Sequence, residues 1–305
     1  MIRPLQIGTR GSRLALWQAN HVASLLRRHA GERPIELVEI QTAGDQVRDV
    51  PLTAFGGQGA FTKEIQRALL GGSVDLAVHS LKDLPTFPVD GLVLAAVPPR
   101  GPTGDVLVSR GHRQFDDLPQ GAVVATTSLR RRAQLLHRRP DLRVVDIRGN
   151  VETRLRKLEG ENLDAIVLAQ AGLERLGLTE AITEILDSSW MLPAVGQGAL
   201  GLECRSDDRE ILEILTRVNH APTHAAVQAE RAFLRALQGG CQVPIGAIAV
   251  GESESLEVRG VVLSPDGRFR IEASRRGSQG DSEDLGISLA NDLLARGAAE
   301  LLRVG

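Results

Sequence analysis

The order of strands and helices along the chain restarts once, and this repetition limits the folds available to it. Short apolar segments alternate with amphipathic segments up to residue 97, and the alternation begins again after Pro98-Pro99-Arg100-Gly101-Pro102. Prolines and a glycine at this density end both helices and strands. A β-α-β order on each side of the break is typical of α/β domains built on parallel strands. The sequence therefore predicts two α/β units in succession.

A third region has a different character. Beyond residue 218 we expect a helix over residues 223–237, strands joined by a Ser264-Pro-Asp-Gly267 turn, and helices over 283–296 and 298–302. The apolar segment 200–203 is expected to return as a strand to the first sheet. The predicted domains are 1–99 with 199–217 (α/β), 103–194 (α/β), and 218–305 (small α+β).

Composition narrows the kinds of ligand. The 36 Lys and Arg residues nearly balance the 38 Asp and Glu residues, and aromatic residues are only 3% of the chain, so an arginine-rich nucleic-acid binder is disfavoured. Any anion site must come from a local concentration of arginine. There is no signal-peptide pattern and no apolar run long enough to span a membrane, so we expect a cytoplasmic protein.

The stretch Asp75-Leu-Ala-Val-His-Ser-Leu-Lys-Asp-Leu-Pro85 contains the leading candidate for acid–base chemistry. Its apolar start indicates a buried parallel strand, and polar residues follow where that strand ends. Ligands of open α/β sheets bind outside the carboxyl ends of the strands. Asp83 is therefore the candidate acid–base group, and a turn cap is the alternative role for a lone loop aspartate.

Arginines cluster at two strand-to-helix junctions. In Thr126-Thr-Ser-Leu-Arg-Arg-Arg132, Ser128 can cap a helix whose first turn carries Arg130 and Arg131. Arg148 and Arg154 flank a second such junction, and Arg10 follows the first strand. Guanidinium groups bind carboxylates and phosphates through paired hydrogen bonds, so a polyanionic ligand is expected. Solvated surface charges are the alternative for each arginine taken singly.

The two cysteines differ in their surroundings. Cys204 lies in an apolar strand and is predicted to be a small buried residue, whereas Cys241 lies in Gly239-Gly-Cys-Gln-Val-Pro244, a glycine-rich loop. Cys241 is either an accessible thiol or a buried small residue. Their separation has no metal-binding spacing, so no metal site is predicted.

These segments together resemble the porphobilinogen deaminase (hydroxymethylbilane synthase) family. The matching motifs run through the chain in the order of the family: Gly8-Thr-Arg-Gly-Ser-Arg-Leu-Ala-Leu-Trp-Gln18, Ala77-Val-His-Ser-Leu-Lys-Asp-Leu-Pro85, Thr127-Ser-Leu-Arg-Arg131, Arg148-Gly-Asn150, Leu192-Pro-Ala-Val-Gly-Gln-Gly198 and Gly239-Gly-Cys-Gln-Val-Pro-Ile-Gly246. The resemblance implies two hinged α/β domains similar to periplasmic binding proteins, a third domain, and a monomer.

The resemblance also implies the chemistry. Four porphobilinogen molecules are joined head to tail on a dipyrromethane cofactor covalently attached to Cys241, with loss of ammonia at each step. Asp83 is implied to bind pyrrole N–H groups and to stabilise the cationic azafulvene intermediate. The residues implied to bind cofactor or substrate are Arg10, Ser12, Lys82, Thr127, Ser128, Arg130, Arg131, Arg148, Arg154 and Gln197.

One position departs from the family pattern. Residues 42–59 form a long glycine-rich connection without periodicity, and loops of this length are usually either functional lids or disordered. This expected lid contains Gly56-Gly-Gln58-Gly59, where family members commonly have Gly-Gly-Lys-Gly. A neutral amide thus replaces a cation, and we expect greater reliance on the fixed arginines. A non-catalytic hinged protein that binds a polycarboxylate is the alternative function, since a fold does not determine an activity. The resemblance at Cys241 favours the enzyme.

Overall fold

The structure is a computed structural model, and it describes residues 3–29, 33–42, 59, 62–238, 243–252 and 254–303. The chain divides into two compact units. The first contains residues 1–101 and 199–224, and the second contains residues 102–198 and 225–305. The second unit therefore includes both the second and most of the third of the predicted domains.

The first unit is built on a five-stranded mixed sheet. Its elements are β1 (Leu5–Thr9), α1 (Arg13–Leu26), β2 (Ile35–Glu39), α2 (Lys63–Leu70), β3 (Leu76–Ser80), β4 (Leu92–Ala96) and, after the second unit's strands, β10 (Leu200–Arg205) and α6 (Arg209–Thr216). The strand order is β2-β1-β3-β10-β4, with β1, β2 and β3 parallel and β10 antiparallel to both of its neighbours. The predicted return of residues 200–203 to the first sheet is confirmed.

A second sheet of the same size lies in the second unit. Its elements are β5 (Asp105–Ser109), β6 (Val123–Ala125), α3 (Leu129–Arg138), β7 (Arg143–Val145), α4 (Val151–Gly160), β8 (Ala165–Ala169), α5 (Gln170–Arg175) and β9 (Glu184–Ile185). The strand order is β7-β6-β8-β5-β9. Strands β6, β7 and β8 are parallel, and β5 runs antiparallel to β8. The repeated α/β pattern predicted from the sequence is thus confirmed at the level of the sheets.

The C-terminal elements form an α+β layer in the second unit. Helix α7 (Ala221–Ala236) is followed by the antiparallel strands β11 (Ile245–Glu252), β12 (Ser255–Leu263) and β13 (Arg270–Ser278) and by α8 (Ser282–Ala295) and α9 (Ala298–Arg303). The predicted turn after Ser264 joins β12 to β13, with Gly267 N donating to Ser264 O at 2.9 Å. The fold class, two α/β sheets and a small α+β region, is confirmed.

The C-terminal layer packs against helix α3. Ala133 of α3 is buried in one apolar cluster with Val261 and Leu263 of β12. His137 Nδ1 lies 2.8 Å from Gly267 O, which ties the end of α3 to the hairpin turn. These contacts explain why the second predicted domain and the C-terminal layer form one compact unit. Within the described residues, no helix has the length and apolar character needed to cross a membrane.

Candidate functional site

Asp83 lies at the carboxyl end of β3, where the sequence predicts it. It ends a single 3-10 turn, Leu81–Asp83, that follows the strand directly. Leu81 N donates to Ala199 O at 3.0 Å, and the Leu81 side chain packs over Gly201. A Cβ atom at Gly201 would lie 2.7 Å from Leu81 Cδ1, so a side chain there would displace Leu81. The turn that carries the half-buried Asp83 is therefore packed directly against β10.

The two residues that precede this turn, His79 and Ser80, contact different neighbouring elements, β10 and α1. Ser80 Oγ exchanges hydrogen bonds with the side-chain amide of Gln18 in α1, at 2.8 and 3.0 Å. His79 Nε2 lies 3.1 Å from Glu203 Oε2, and Gln66 Nε2 of α2 donates to Glu203 Oε1 at 3.0 Å. The motif that contains Gln18 is thus bound to the motif that contains Asp83.

Arg10, Ser12 and Lys82 lie at the same edge of the first sheet as Asp83. Strands β1 and β3 are parallel neighbours, with Gly8 opposite Ala77, so their carboxyl ends meet at one edge. Ser12 is the N-cap of α1, and its hydroxyl accepts from Ala15 N at 3.3 Å. Arg10 and Lys82 are half-buried. The first unit therefore brings two cations and a carboxylate to this edge.

Arg130 and Arg131 of the second unit converge on one buried carboxylate, that of Asp105. Arg130 Nη1 donates to Asp105 Oδ2 at 2.6 Å and to Leu192 O at 2.6 Å. Arg131 donates to Asp105 Oδ1 from Nε at 3.0 Å and from Nη2 at 2.7 Å. Neither guanidinium is a solvated surface charge, because Arg130 is 4% and Arg131 is 6% exposed. That alternative is excluded for these two arginines.

The charges in this cluster do not cancel. Burial alone would raise the pKa of Asp105. The guanidinium groups of Arg130 and Arg131 together have a larger, opposite effect, so the pKa lies well below its usual range. Burial, together with the neighbouring charge of Arg131, lowers the pKa of Arg130, while Asp105 opposes that shift. Two guanidiniums facing one carboxylate leave an excess positive charge. Arg130 Nε is also buried without a hydrogen-bond partner among the described residues.

The other predicted residues of this unit flank the two strand-to-helix junctions. Ser128 is the N-cap of α3, and Asn150 is the N-cap of α4 through a 2.9 Å bond from Thr153 N. Because β6 and β7 are parallel neighbours, both junctions lie at one edge of the sheet. Thr127 and Arg148 are half-buried in these junctions, and Arg154 Nε donates to Gly149 O at 2.9 Å. The two strand-to-helix junctions predicted from the sequence are present, and their binding of a common anion stays a prediction.

Gln197 is fully buried and contacts the acidic centre of the cluster. Its amide Nε2 donates to Thr103 O at 2.7 Å and to Asp105 Oδ1 at 2.9 Å. Next to it, Gly198 O accepts from Arg175 Nη2 at 2.6 Å, and burial lowers the pKa of Arg175. Asp105 and Arg175 were not predicted from the sequence. Asp105 begins an apolar strand, which was the only available signal, and Arg175 lies at the end of a short helix with no distinguishing pattern.

Of the two cysteines, Cys204 lies among the described residues. Cys204 is completely buried in the core of the first unit, and burial raises the pKa of its thiol to about 11, so the prediction for it is confirmed. Cys241 and Gln58 lie outside the described residues. Among the residues that the structure does describe, no three His, Cys, Asp or Glu side chains are grouped to hold a metal ion.

Two family models match the chain over most of its length. Residues 5–213 match "Porphobilinogen deaminase, dipyromethane cofactor binding domain", and residues 224–295 match "Porphobilinogen deaminase, C-terminal domain". The boundary between the two models falls close to the start of α7.

Whole-length relatives agree with these matches. The porphobilinogen deaminase of Pelotomaculum thermopropionicum is 50% identical over 99% of this chain and 97% of its own length. The enzyme of Syntrophotalea carbinolica is 52% identical over 98% and 95%, and that of Desulforudis audaxviator is 53% identical over 99% and 98%.

Among solved structures, an ancestral cationic amino acid solute binding protein covers 70% of this chain and 88% of its own, with 15% identity and a TM-score of 0.43. The sheet order given above describes the fold without reference to that likeness. The family models together span both units, and the relatives align from end to end, so the chain belongs to the porphobilinogen deaminase family.

Proposed function

We propose that this chain joins four porphobilinogen molecules head to tail and releases hydroxymethylbilane, a linear tetrapyrrole. At each step, a carbon–carbon bond forms between an aminomethyl carbon and the free carbon of a second pyrrole, while ammonia leaves. Water finally hydrolyses the bond that holds the tetrapyrrole to the enzyme, with the hydroxyl group on the product's methylene carbon and the hydrogen on the carbon left behind. The observation that carries this proposal is the identity of about one half to relatives of this activity over nearly the whole chain.

The second unit suits a cofactor that carries several carboxylates. Porphobilinogen and the family's dipyrromethane cofactor bear an acetate and a propionate on each pyrrole ring. The excess positive charge at Arg130 and Arg131 and the unpartnered, buried Arg130 Nε fit such groups. When bound, the dipyrromethane supplies the pyrrole to which the first substrate is joined. Arg130 and Arg131 are proposed to hold it, together with the helix cap Ser128 and its neighbour Thr127.

The remaining predicted residues divide between the two sheet edges. In the second unit, Arg148 and Arg154 flank the second strand-to-helix junction and are proposed to bind carboxylates of substrate pyrroles. In the first unit, Arg10, Ser12 and Lys82 share an edge with Asp83 and are proposed to hold the incoming molecule. Gln197 is proposed to act on the binding residues through Asp105, because its amide is already committed to that carboxylate.

Asp83 is the proposed catalytic residue. As a carboxylate it accepts hydrogen bonds from pyrrole N–H groups of the substrate. Its negative charge stabilises the cation that develops on porphobilinogen as ammonia leaves, and a carboxyl group at this place can pass a proton to the departing amine. The backbone bond from Leu81 to Ala199 supports this role, because a charge that is already oriented needs less reorganisation during the reaction.

Cys241 is the proposed anchor of the cofactor, through a thioether bond. The first test is the intact mass of the purified protein and of Cys241→Ser. An excess equal to two porphobilinogen units less two ammonia molecules, lost in Cys241→Ser, supports both the cofactor and its attachment. Cys204→Ser is the matched control and should keep the excess, because Cys204 is in the core of the first unit. The bare chain mass in native protein would contradict the proposal.

The activity itself is tested by stoichiometry. Incubation with porphobilinogen should release one ammonia for each substrate consumed and yield one tetrapyrrole for each four. Binding of porphobilinogen without consumption would favour the hinged carrier. We also propose that the protein acts as a monomer in the cytoplasm, without nucleic-acid or membrane partners; sedimentation and cell fractionation test these points.

A further inference from the structure

A second buried carboxylate, that of Glu230 in α7, binds the turn that carries Gln197. Glu230 is 0% exposed. Its Oε2 accepts from Gly196 N at 2.7 Å, and its Oε1 accepts from Ala249 N in β11 at 2.8 Å. One side chain thus joins the C-terminal layer to the turn over residues 193–198. A buried carboxylate requires such donors, because burial without hydrogen bonds is strongly unfavourable.

The bond to Gly196 fixes the backbone on which Gln197 depends. Gly196 has φ +71°, a left-handed conformation that side chains disfavour, and Gln197 N closes the turn on Ala194 O at 2.9 Å. The direction of the Gln197 side chain follows from this turn. Gln197 Nε2 then donates to Asp105 Oδ1, the same oxygen that binds Arg131. Glu230 is therefore connected to the arginine pair by its hydrogen bond to Gly196, the peptide bond to Gln197, and the hydrogen bonds of Gln197 and Arg131 to Asp105.

Helix α7 gives this connection its significance. The helix ends at Ala236, and Cys241 follows shortly after it in the sequence. The element that leads to the proposed anchor is therefore the element that, through Glu230, holds the residues proposed to bind the cofactor's carboxylates. Nothing in the reaction itself requires a carboxylate at residue 230.

We propose that Glu230 is a positioning residue that holds the arginine pair in the arrangement that binds the cofactor's carboxylates, acting through Gly196 and Gln197. The inference rests on the proposed function, since it assigns Glu230 to the binding of that cofactor and of the growing chain. It predicts that Glu230 affects cofactor loading and substrate KM, and leaves unchanged the turnover of those molecules that are loaded.

The test compares Glu230→Gln, Gln197→Met and the double variant with Glu184→Gln. The control residue Glu184 also accepts a backbone N–H in this unit, from Phe115 at 2.6 Å, but has no bond to the turn. The loaded fraction is measured by intact mass, and KM and kcat per loaded molecule are measured separately. Loss of one charge-assisted bond predicts roughly a tenfold rise in KM and a reduced loaded fraction for Glu230→Gln.

The double variant distinguishes positioning from general stabilisation. If Glu230 acts through Gln197, the double variant should be no worse in loading and KM than the worse single variant. Additive effects, or a Glu230→Gln that resembles Glu184→Gln, overturn the proposal. If Glu230→Gln does not fold, Gln197→Met decides alone. A Gln197→Met protein loaded to the wild-type fraction would show that Gln197 does not transmit an effect from Glu230 to the arginine pair. An unloaded, inactive wild type would instead refute the proposed function.

Discussion

Asp105 Oδ1 receives two hydrogen bonds from the guanidinium of Arg131, from Nε at 3.0 Å and from Nη2 at 2.7 Å, while Oδ2 binds Arg130. One carboxylate thereby orients two arginines that would otherwise repel each other. This internal counter-ion explains how adjacent arginines are tolerated in the first turn of a helix, where the macrodipole disfavours positive charge.

Replacement of Asp105 by asparagine should destabilise the protein severely. The neutral amide leaves two buried guanidiniums without a counter-ion, and removal of one partner of a buried pair costs about 3–5 kcal/mol. The free energy of unfolding at pH 7, from urea denaturation, measures this. Asp116→Asn is the matched control, because Asp116 pairs with Arg138 on the surface and should cost less than about 1 kcal/mol. Equal effects of the two substitutions would contradict the role given to Asp105.

The difference between wild type and Asp105→Asn should depend on pH. The pKa of Asp105 is lowered in the folded protein, so the unfolded chain takes up a proton here first as the pH falls. The stability that Asp105 contributes is thus fully present above the usual aspartate pKa and is lost below it. The gap in unfolding free energy between the two proteins should therefore narrow as the pH drops below about 4. A gap that stays constant down to pH 3 would show that the charge of Asp105 is not responsible.

Asp83→Asn should reduce kcat and leave cofactor loading intact. The amide keeps the size of the side chain but cannot carry a proton or a negative charge, and general acid–base groups contribute roughly 10²–10⁴-fold. Single-turnover kinetics and intact mass measure the two effects. Asp90→Asn changes an exposed aspartate of the same unit and should leave kcat unchanged. A wild-type kcat in Asp83→Asn would return Asp83 to the role of a turn residue.

The local features of the site could be predicted from sequence, and its long-range pairs could not. Helix α3 begins directly after Ser128, which caps it as predicted, because a helix start and its cap depend on neighbours within one turn. The partners of Asp105 are 25 residues away at Arg130 and 92 residues away at Gln197. No periodicity links such positions. Strand β5, which places Asp105, was not predicted either, although Val106-Leu-Val108 is a short apolar run; its pairing with β8 joins distant segments that no local pattern links.

The two cysteines should react differently with thiol reagents at pH 8. Burial raises the pKa of Cys204 to about 11, so its reactive thiolate is scarce and inaccessible in the folded state. We expect no labelling of native, cofactor-loaded protein and labelling of one thiol, Cys241, in native cofactor-free protein. Labelling of both thiols in denatured cofactor-free protein is the control. Rapid reaction of Cys204 in the native state would contradict its placement in the core.

The reciprocal hydrogen bonds between Gln18 and Ser80 should support Asp83 from a distance. Ser80 ends β3, and Asp83 lies in the turn that follows. Loss of the hydrogen bonds to Gln18 removes the side-chain link between the end of β3 and α1, so the turn that carries Asp83 is held less firmly. Gln18→Leu and Ser80→Ala should each lower stability by about 1 kcal/mol and reduce kcat more than they raise KM. Because both substitutions remove the same interaction, the double variant should be less affected than the sum, with a coupling of about 1 kcal/mol in unfolding free energy. Asn20→Leu is the control, since Asn20 is exposed on the same helix and, among the residues that the structure describes, bonds only within that helix, to Leu16 O. Strict additivity, or a kcat equal to that of Asn20→Leu, would mean that Gln18 stabilises the sheet and does not orient the Leu81–Asp83 turn.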